Sequence, residues 1–429
     1  MRVPMSQLVL ISALTLSTPS LAGDTPELEI VEAIAEAVEE NYVYPDMGER
    51  TATALREALA AGAYEELQGG TLANMLRAEL VEQTNDLHFS MQALPEGWTP
   101  PSDEEEAAQR RAPEAPFGFN AVQRLDGNIG YIDLRQFNNA DFIGETLEAA
   151  MRLLQGCETL IYDLRRNGGG DPVAVALITS YIYEPGTPVH LNSLYSRPDD
   201  ETTEYWTHDN INTDLAMPDV PVYVLTSGMT FSAAEEFSYN LRNLKRATIV
   251  GETTGGGAHP VDFILLHSDA TDRYYQLVLP TARAVSPITG TNWEGRGVEP
   301  HIACDADDAL DRALLDAYSK LQDQGNEQVR FGIASLNARL SPISMSTDQL
   351  GTYAGTYTDR EFMIDGDQMM YRRVGVSDFR PLICIEDDQF VIDGFEGFIL
   401  QFDRDASGDI VSVSGHYVQG HRDRSMRSH

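Results

Sequence analysis

The stretch TSGMTFSAAEEF, residues 226–237, follows the apolar run Val222-Tyr223-Val224-Leu225, turns on Ser227 and Gly228, and delivers Ser232 just ahead of a segment with helical spacing. A serine between a strand and a helix has two readings. It can cap the helix, its hydroxyl accepting a first-turn N–H. It can also be a nucleophile, which needs a base to take its proton, a group to orient that base, and N–H donors for the oxyanion. The rest of the chain decides between them by what it supplies.

Outward from this stretch, strands alternate with helices from Phe117 to about Ile302. Strands are expected at residues 128–137 (NIGYIDLRQF), 159–164 (TLIYDL), 220–226 (VPVYVLT) and 247–251 (ATIVG), with helices over 143–154, 172–183 and 233–244. Short apolar strands separated by helices predict a partly parallel α/β sheet covered on both faces, with ligands at the carboxyl ends of the strands. Before this core, the apolar residues Ile30, Ile34, Ala35 and Val38, and then Leu72, Met75, Leu76 and Leu80, recur at helical spacing. They predict a helical domain over 24–98. Residues 99–115 are rich in proline and charge and read as a linker, followed by the core at 116–322. From Thr347 polar and apolar residues alternate about turns such as Asp365-Gly366, which predicts a small antiparallel barrel or sandwich within 340–429.

Composition narrows the function. With 30 Lys and Arg against 67 Asp and Glu, the formal net charge is −37, and nucleic acid or an anionic membrane would be repelled at long range. The N-terminus carries Arg2, an apolar stretch from Leu8 to Leu16 and the small-residue ending Ser20-Leu21-Ala22, the pattern of a secretory signal peptide spanning 1–22. An exported protein, periplasmic or secreted, with no membrane span after cleavage is expected. Cys157, Cys304 and Cys384 lie far apart without metal-ligand spacing, so no zinc site is read; one disulfide or three inert thiols both fit.

Two loops carry chemistry. DLRRNGGGDP, residues 163–172, places three glycines after a strand, where their N–H groups can converge on an anion; any of Gly168, Gly169 and Gly170 could donate, and the loop lacks the spacing of a phosphate loop. The second loop ends on Ser232, with the Ala233 N–H as a further oxyanion donor. Among the nine histidines, His88 lies where the helical domain ends, at a junction where clefts form, and His259 is next in line.

Four ordered motifs, DLRRNGGG (163–170), TSGMTFSAAEEF (226–237), RATIVGETTGGGA (246–258) and WEGRGVEPHI (293–302), resemble the C-terminal-processing or tail-specific serine protease family over residues 27 to about 305. One branch of that family uses a lysine base, and the matching position here is Gly257; Lys245 belongs to a helix end and does not match. The other branch, which includes the tricorn core protease and interphotoreceptor retinoid-binding protein, uses a histidine oriented by a glutamate, and DLHFS and WEGRGVEP match these at His88 and Glu294. Glu252 and Glu299 are alternatives for the glutamate. The tricorn pattern has a serine immediately before the histidine, where this chain has Leu87, so an auxiliary hydroxyl would come from Ser90 or be missing. The resemblance implies a crotonase-like core and a peptidase acting through an acyl-enzyme. Its parts would be a Ser232 nucleophile, His88 general base, Glu294 as orienting acid, and backbone N–H groups of Gly169 and Ala233 as oxyanion hole. It further implies a peptide or protein substrate and no metal or organic cofactor. The competing expectation is a non-catalytic binding protein for apolar ligands or peptides on the same fold. Oligomeric state is not legible.

Overall fold

The computed structural model describes residues 9–10, 27–102 and 118–428. The expected linker therefore lies outside the described residues beyond 102, and so does the expected signal peptide apart from Val9–Leu10, which pair parallel with Ile264 and Leu265. The chain divides into two compact units, one of residues 1–123, 132–156 and 162–303, the other of 124–131, 157–161 and 304–429. The helix Ala309–Asp323, expected as part of the core, falls in the second unit.

A six-stranded sheet has the order Ile302–Ala303, Ala247–Gly251, Val222–Thr226, Thr159–Asp163, Ile129–Leu134 and Phe119–Leu125. The pairing of Val222–Thr226 with Ala247–Gly251 is parallel, and every residue of Val222–Thr226 is buried. A strand buried on both faces needs the unbroken apolar run that the sequence provides. The helices Ala140–Leu154 and Pro172–Ser180 start where side chains accept first-turn amides, Asn139 from Asp141 N and Asp171 from Val173 N, with Pro172 at the first helical position.

The helices Leu28–Asn41, Pro45–Ala60 and Gly69–Thr84 share one core with strands much further along the chain. Their buried stripe, Ile30, Ile34, Val38, Leu72, Leu76 and Leu80, packs against Ile264, Leu266, Leu277 and Leu279. Those residues belong to the antiparallel hairpin Val261–Ser268 and Arg273–Pro280, to which Ser90–Ala93 adds a third strand. Each fully buried aliphatic side chain contributes about 1.5–3 kcal/mol, so docking on the hairpin is what holds this helical layer. Buried Glu27 fixes the joint, its carboxylate accepting from Gly69 N at 2.7 Å and from Tyr275 OH at 2.7 Å. The turn after the third helix, which carries Asp86 and His88, is thereby delivered to the core.

In the second unit, eight antiparallel strands from Gly355–Tyr357 to Arg422–Met426 pair in sequence order. A bridge between Tyr357 and Arg427, with Ser428 N donating to Thr356 O at 2.8 Å, joins the first strand to the last. The expected choice between barrel and sandwich resolves to a nearly closed sheet around Tyr357, Phe362, Phe390, Leu400 and Phe402. The contact between its ends covers part of the edges that an open sheet would leave. The helix Arg330–Leu340 packs Phe331 and Ala334 against Val391 and Ile399 outside it. Cys157 and Cys384 are buried free thiols. No helix among the described residues is long and apolar enough to cross a membrane.

Candidate active site

Ser232 stands at the N-cap of the helix Ala233–Asn243, but with φ 55° and ψ −122°. Capping residues ordinarily sit in the β region; a non-glycine residue held here carries about 1–3 kcal/mol of strain that the surroundings must offset. Hydrogen bonds from two sides do so. Ser227 Oγ donates to Arg165 O at 2.5 Å, Thr230 Oγ1 to Leu164 O at 2.8 Å, and Phe231 N to Asn167 O at 3.1 Å. These bonds fasten the serine loop to the DLRRN loop and explain why residues 226–231 are rich in small hydroxyls.

The second side is Glu235, which is fully buried. One of its oxygens accepts from Ser232 N at 2.9 Å and Gly257 N at 2.8 Å; the other accepts from Thr254 Oγ1 at 2.5 Å and Gly256 N at 2.7 Å. Burial pushes its carboxyl upward against the pull of these four donors. One carboxylate thus ties the serine to the TTGGG loop. The Ser-x-x-Glu spacing of Ser232 and Glu235 is that of a capping box, which marks the bond to the Ser232 amide, whereas the bonds to the TTGGG loop depend on the fold.

Gly169 lies against the serine: a Cβ added there would come within 2.7 Å of Ser232 Cβ and 3.0 Å of Ala233 N, and its φ is 114°. Glycine is required at this approach. Its amide, however, donates to Asn167 Oδ1 at 2.8 Å, so the oxyanion role expected of it needs that bond to be released or shared. The Ala233 amide occupies the first helical position, one of the donors a helix start leaves without an intrahelical acceptor.

His88 reaches the serine loop. Its ring lies 4.6 Å, centroid to centroid, from that of Phe231, the residue before Ser232. Gly257 supplies the room: a Cβ there would meet Phe231 Cζ at 2.2 Å and His88 Cε1 at 2.5 Å. Both His88 ring nitrogens are buried and make no hydrogen bond among the described residues.

Behind His88 stands a cluster of acids and a second histidine. Asp86 is 1% exposed; its Oδ1 accepts from His88 N at 3.0 Å and lies 3.5 Å from His88 Nδ1. Its Oδ2 lies 2.6 Å from His259 Nδ1 and accepts from Tyr42 OH at 3.3 Å. Desolvation pushes the Asp86 carboxyl up, but the two histidines outweigh it and hold it well below the usual carboxylate range. Glu294, expected beside His88, instead approaches His259 Nδ1 at 3.5 Å and accepts from Ala258 N at 2.5 Å. Burial, reinforced by Asp86 and opposed by His259, pushes its carboxyl up to about 7. Of the alternatives for the orienting acid, Glu252 is taken up with Gly228 N at 3.0 Å. Asp86, His259 and Glu294 offer ligand atoms within 4.8 Å of one another and could hold a small cation, although the His259–Asp86 contact uses two of those atoms.

One further buried acid lies on the helix that follows Ser232. Glu236 is 4% exposed, its Oε1 has no hydrogen-bond partner among the described residues, and burial pushes its carboxyl up to about 8. Its protonated form is favoured by folding, so its contribution is fully present below the unfolded value of 4.5 and is lost as pH rises through 8. Glu236→Gln is therefore expected to melt several degrees above the wild type at pH 9 and level with it at pH 4, measured by calorimetry.

The model for Peptidase family S41 matches residues 128–304, and the model described as the N-terminal domain of Peptidase_S41 in eukaryotic IRBP matches residues 20–124. The chain belongs to peptidase family S41, the tail-specific proteases. It is 29% identical over 185 residues to a carboxy-terminal-processing protease of Bartonella bacilliformis, an alignment covering 42% of this chain and 39% of that protein. Among solved structures, mature CPAF superposes with a TM-score of 0.47 at 13% identity, over 72% of this chain and 97% of that one. The photosystem II D1 C-terminal processing protease gives 0.41 at 17%, over 66% and 94%.

Proposed function

We propose that the protein is an exported serine peptidase that cleaves peptide bonds through an acyl-enzyme on Ser232. The observation that carries the reading is the backbone of Ser232, held at φ 55° and ψ −122° beside the Ala233 amide and Gly169. A cap needs no such strain; a nucleophile that must be presented at a strand-to-helix turn does. In the reaction, Ser232 Oγ attacks the scissile carbonyl while His88 takes its proton. The Ala233 N–H, with a glycine N–H of residues 168–170, receives the oxyanion, each such donor being worth about 3 kcal/mol. His88 then returns the proton to the leaving amine, and water, activated by the same base, releases the acyl group. Glu294 enters the site on the side of His259. Substrates are peptides or proteins, and the signal-peptide pattern of residues 1–22 supports export.

The test is a burst: with an activated ester substrate, the first product should appear rapidly in an amount equal to the enzyme and then continue slowly as the acyl-enzyme hydrolyses. A linear time course without label retained on the protein would argue for a binding protein on this fold.

The packing of His88 gives a second expected result. In Gly257→Ala the new methyl must displace either the His88 or the Phe231 ring, so kcat/KM should fall about a hundredfold, the cost of roughly an ångström of misplacement. Circular dichroism should show the fold retained. Unaltered kinetics would mean that neither ring position matters to turnover.

A further inference from the structure

Within the peptidase reading, the chain offers two acids that could orient the base, and the distances do not favour the one its motif suggests. Glu294 Oε2 is turned to Ala258 N and His259 Nδ1. Asp86 Oδ1 is pinned by the backbone amide of His88 itself, at 3.0 Å, in a turn that holds the oxygen beside the ring of the same residue. The gap from Oδ1 to Nδ1, 3.5 Å, is about half an ångström beyond a hydrogen bond, and catalytic hydrogen bonds in empty sites are commonly long and tighten with substrate.

We infer that Asp86 is the positioning residue for His88, that its second oxygen holds His259 in the same way, and that Glu294 acts on the base only through this His259–Asp86 pair. A carboxylate accepts from both oxygens, so one buried Asp can fix two imidazoles. With Nδ1–H of His88 directed at Asp86, Nε2 keeps its lone pair for the Ser232 proton. When that proton arrives, Asp86 balances the imidazolium without taking the proton itself. Its burial and the Tyr42 hydroxyl on Oδ2 keep the carboxylate fixed for this role. The arrangement accounts for the two unpartnered ring nitrogens of His88, which await substrate on one side and a tightened carboxylate on the other. It also accounts for His259, whose Nδ1 is spent on Asp86 and whose Nε2 is buried against no partner among the described residues.

The experiment compares Asp86→Asn, Asp86→Glu and Glu294→Gln in the full-length enzyme, reading kcat and KM separately together with the rate of fluorophosphonate labelling. An Asn amide would donate to Nδ1 and force the other tautomer, so Asp86→Asn should lose about 10³- to 10⁴-fold in kcat and labelling rate with KM moved little. Asp86→Glu, which keeps the charge, should recover part of that loss, and Glu294→Gln should lose less than about tenfold, as a residue acting through two others would. The inference is overturned if Asp86→Asn labels within tenfold of the wild type, or if Glu294→Gln is as damaged as His88→Ala. The second outcome decides the matter even if Asp86→Asn does not fold. A wild-type enzyme that takes no label would instead sink the peptidase reading on which the inference rests.

Discussion

Ser232→Ala is expected to abolish turnover, with a loss of about a millionfold in kcat, while thermal unfolding stays close to that of the wild type. The reason is local. The serine loop is fastened through Ser227, Thr230 and Phe231, and the Ser232 amide through Glu235, so no bond in this clamp uses the Ser232 hydroxyl. A glycine at the same position should be equally inactive yet more stable than the alanine by about 1–2 kcal/mol, because only glycine adopts φ 55° and ψ −122° without strain. Calorimetry and peptide hydrolysis on the two variants separate the chemistry of the hydroxyl from the cost of presenting it. Equal stability of alanine and glycine would remove the argument from strain.

His88→Ala should cost nearly as much, since a nucleophile without its base falls to the residual catalysis of the oxyanion donors and binding. The loss should appear in kcat and in labelling alike. His259→Ala is the necessary comparison, because that histidine shares the same aspartate. If His88 is the base, the His259 variant should retain at least a hundredfold more activity than the His88 variant, and the reverse order would exchange their roles. His88 is preferred because its ring touches Phe231, next to the nucleophile, whereas His259 packs edge-on against Tyr44.

Much of this could be read from one chain. Alternating apolar runs gave the parallel sheet, and the strands at residues 159–163, 222–226 and 247–251 lie where the motifs require them. The helical stripe through Ile30, Ile34 and Val38 was equally plain. The partner it packs on was not, because the hairpin over residues 261–280 reads only as apolar runs such as Phe263-Ile264-Leu265-Leu266, and nothing in them names the helices that cover it. The strand Ser90–Ala93 was hidden for the same reason, being four residues at the end of a helical segment. In the helix Arg330–Leu340, the buried positions Phe331, Ala334 and Ala338 pack against Val391 and Ile399, and a helix of 11 residues owes most of its stability to such packing.

The site divides along a similar line. Ser232, His88 and Gly169 stand in motifs, which is why the sequence singles them out. Asp86, two residues before His88, looks like a turn-forming aspartate, and it is one, since it accepts the His88 amide. What its other oxygen does depends on His259, 173 positions further along the chain. Glu294 matched its motif, yet the acids around His88 are sorted by which amides pin each carboxylate, and spacing in a sequence carries no such information. The same holds for the bonds of Glu235 to the TTGGG loop.

The central claim is that Ser232 is an activated nucleophile. The most direct measurement is labelling of the wild-type protein with a fluorophosphonate, digestion, and mass spectrometry of the modified peptide. The account predicts one stoichiometric adduct, on Ser232, formed at a rate that collapses in His88→Ala. An adduct on another residue, or none from a folded protein, would contradict it.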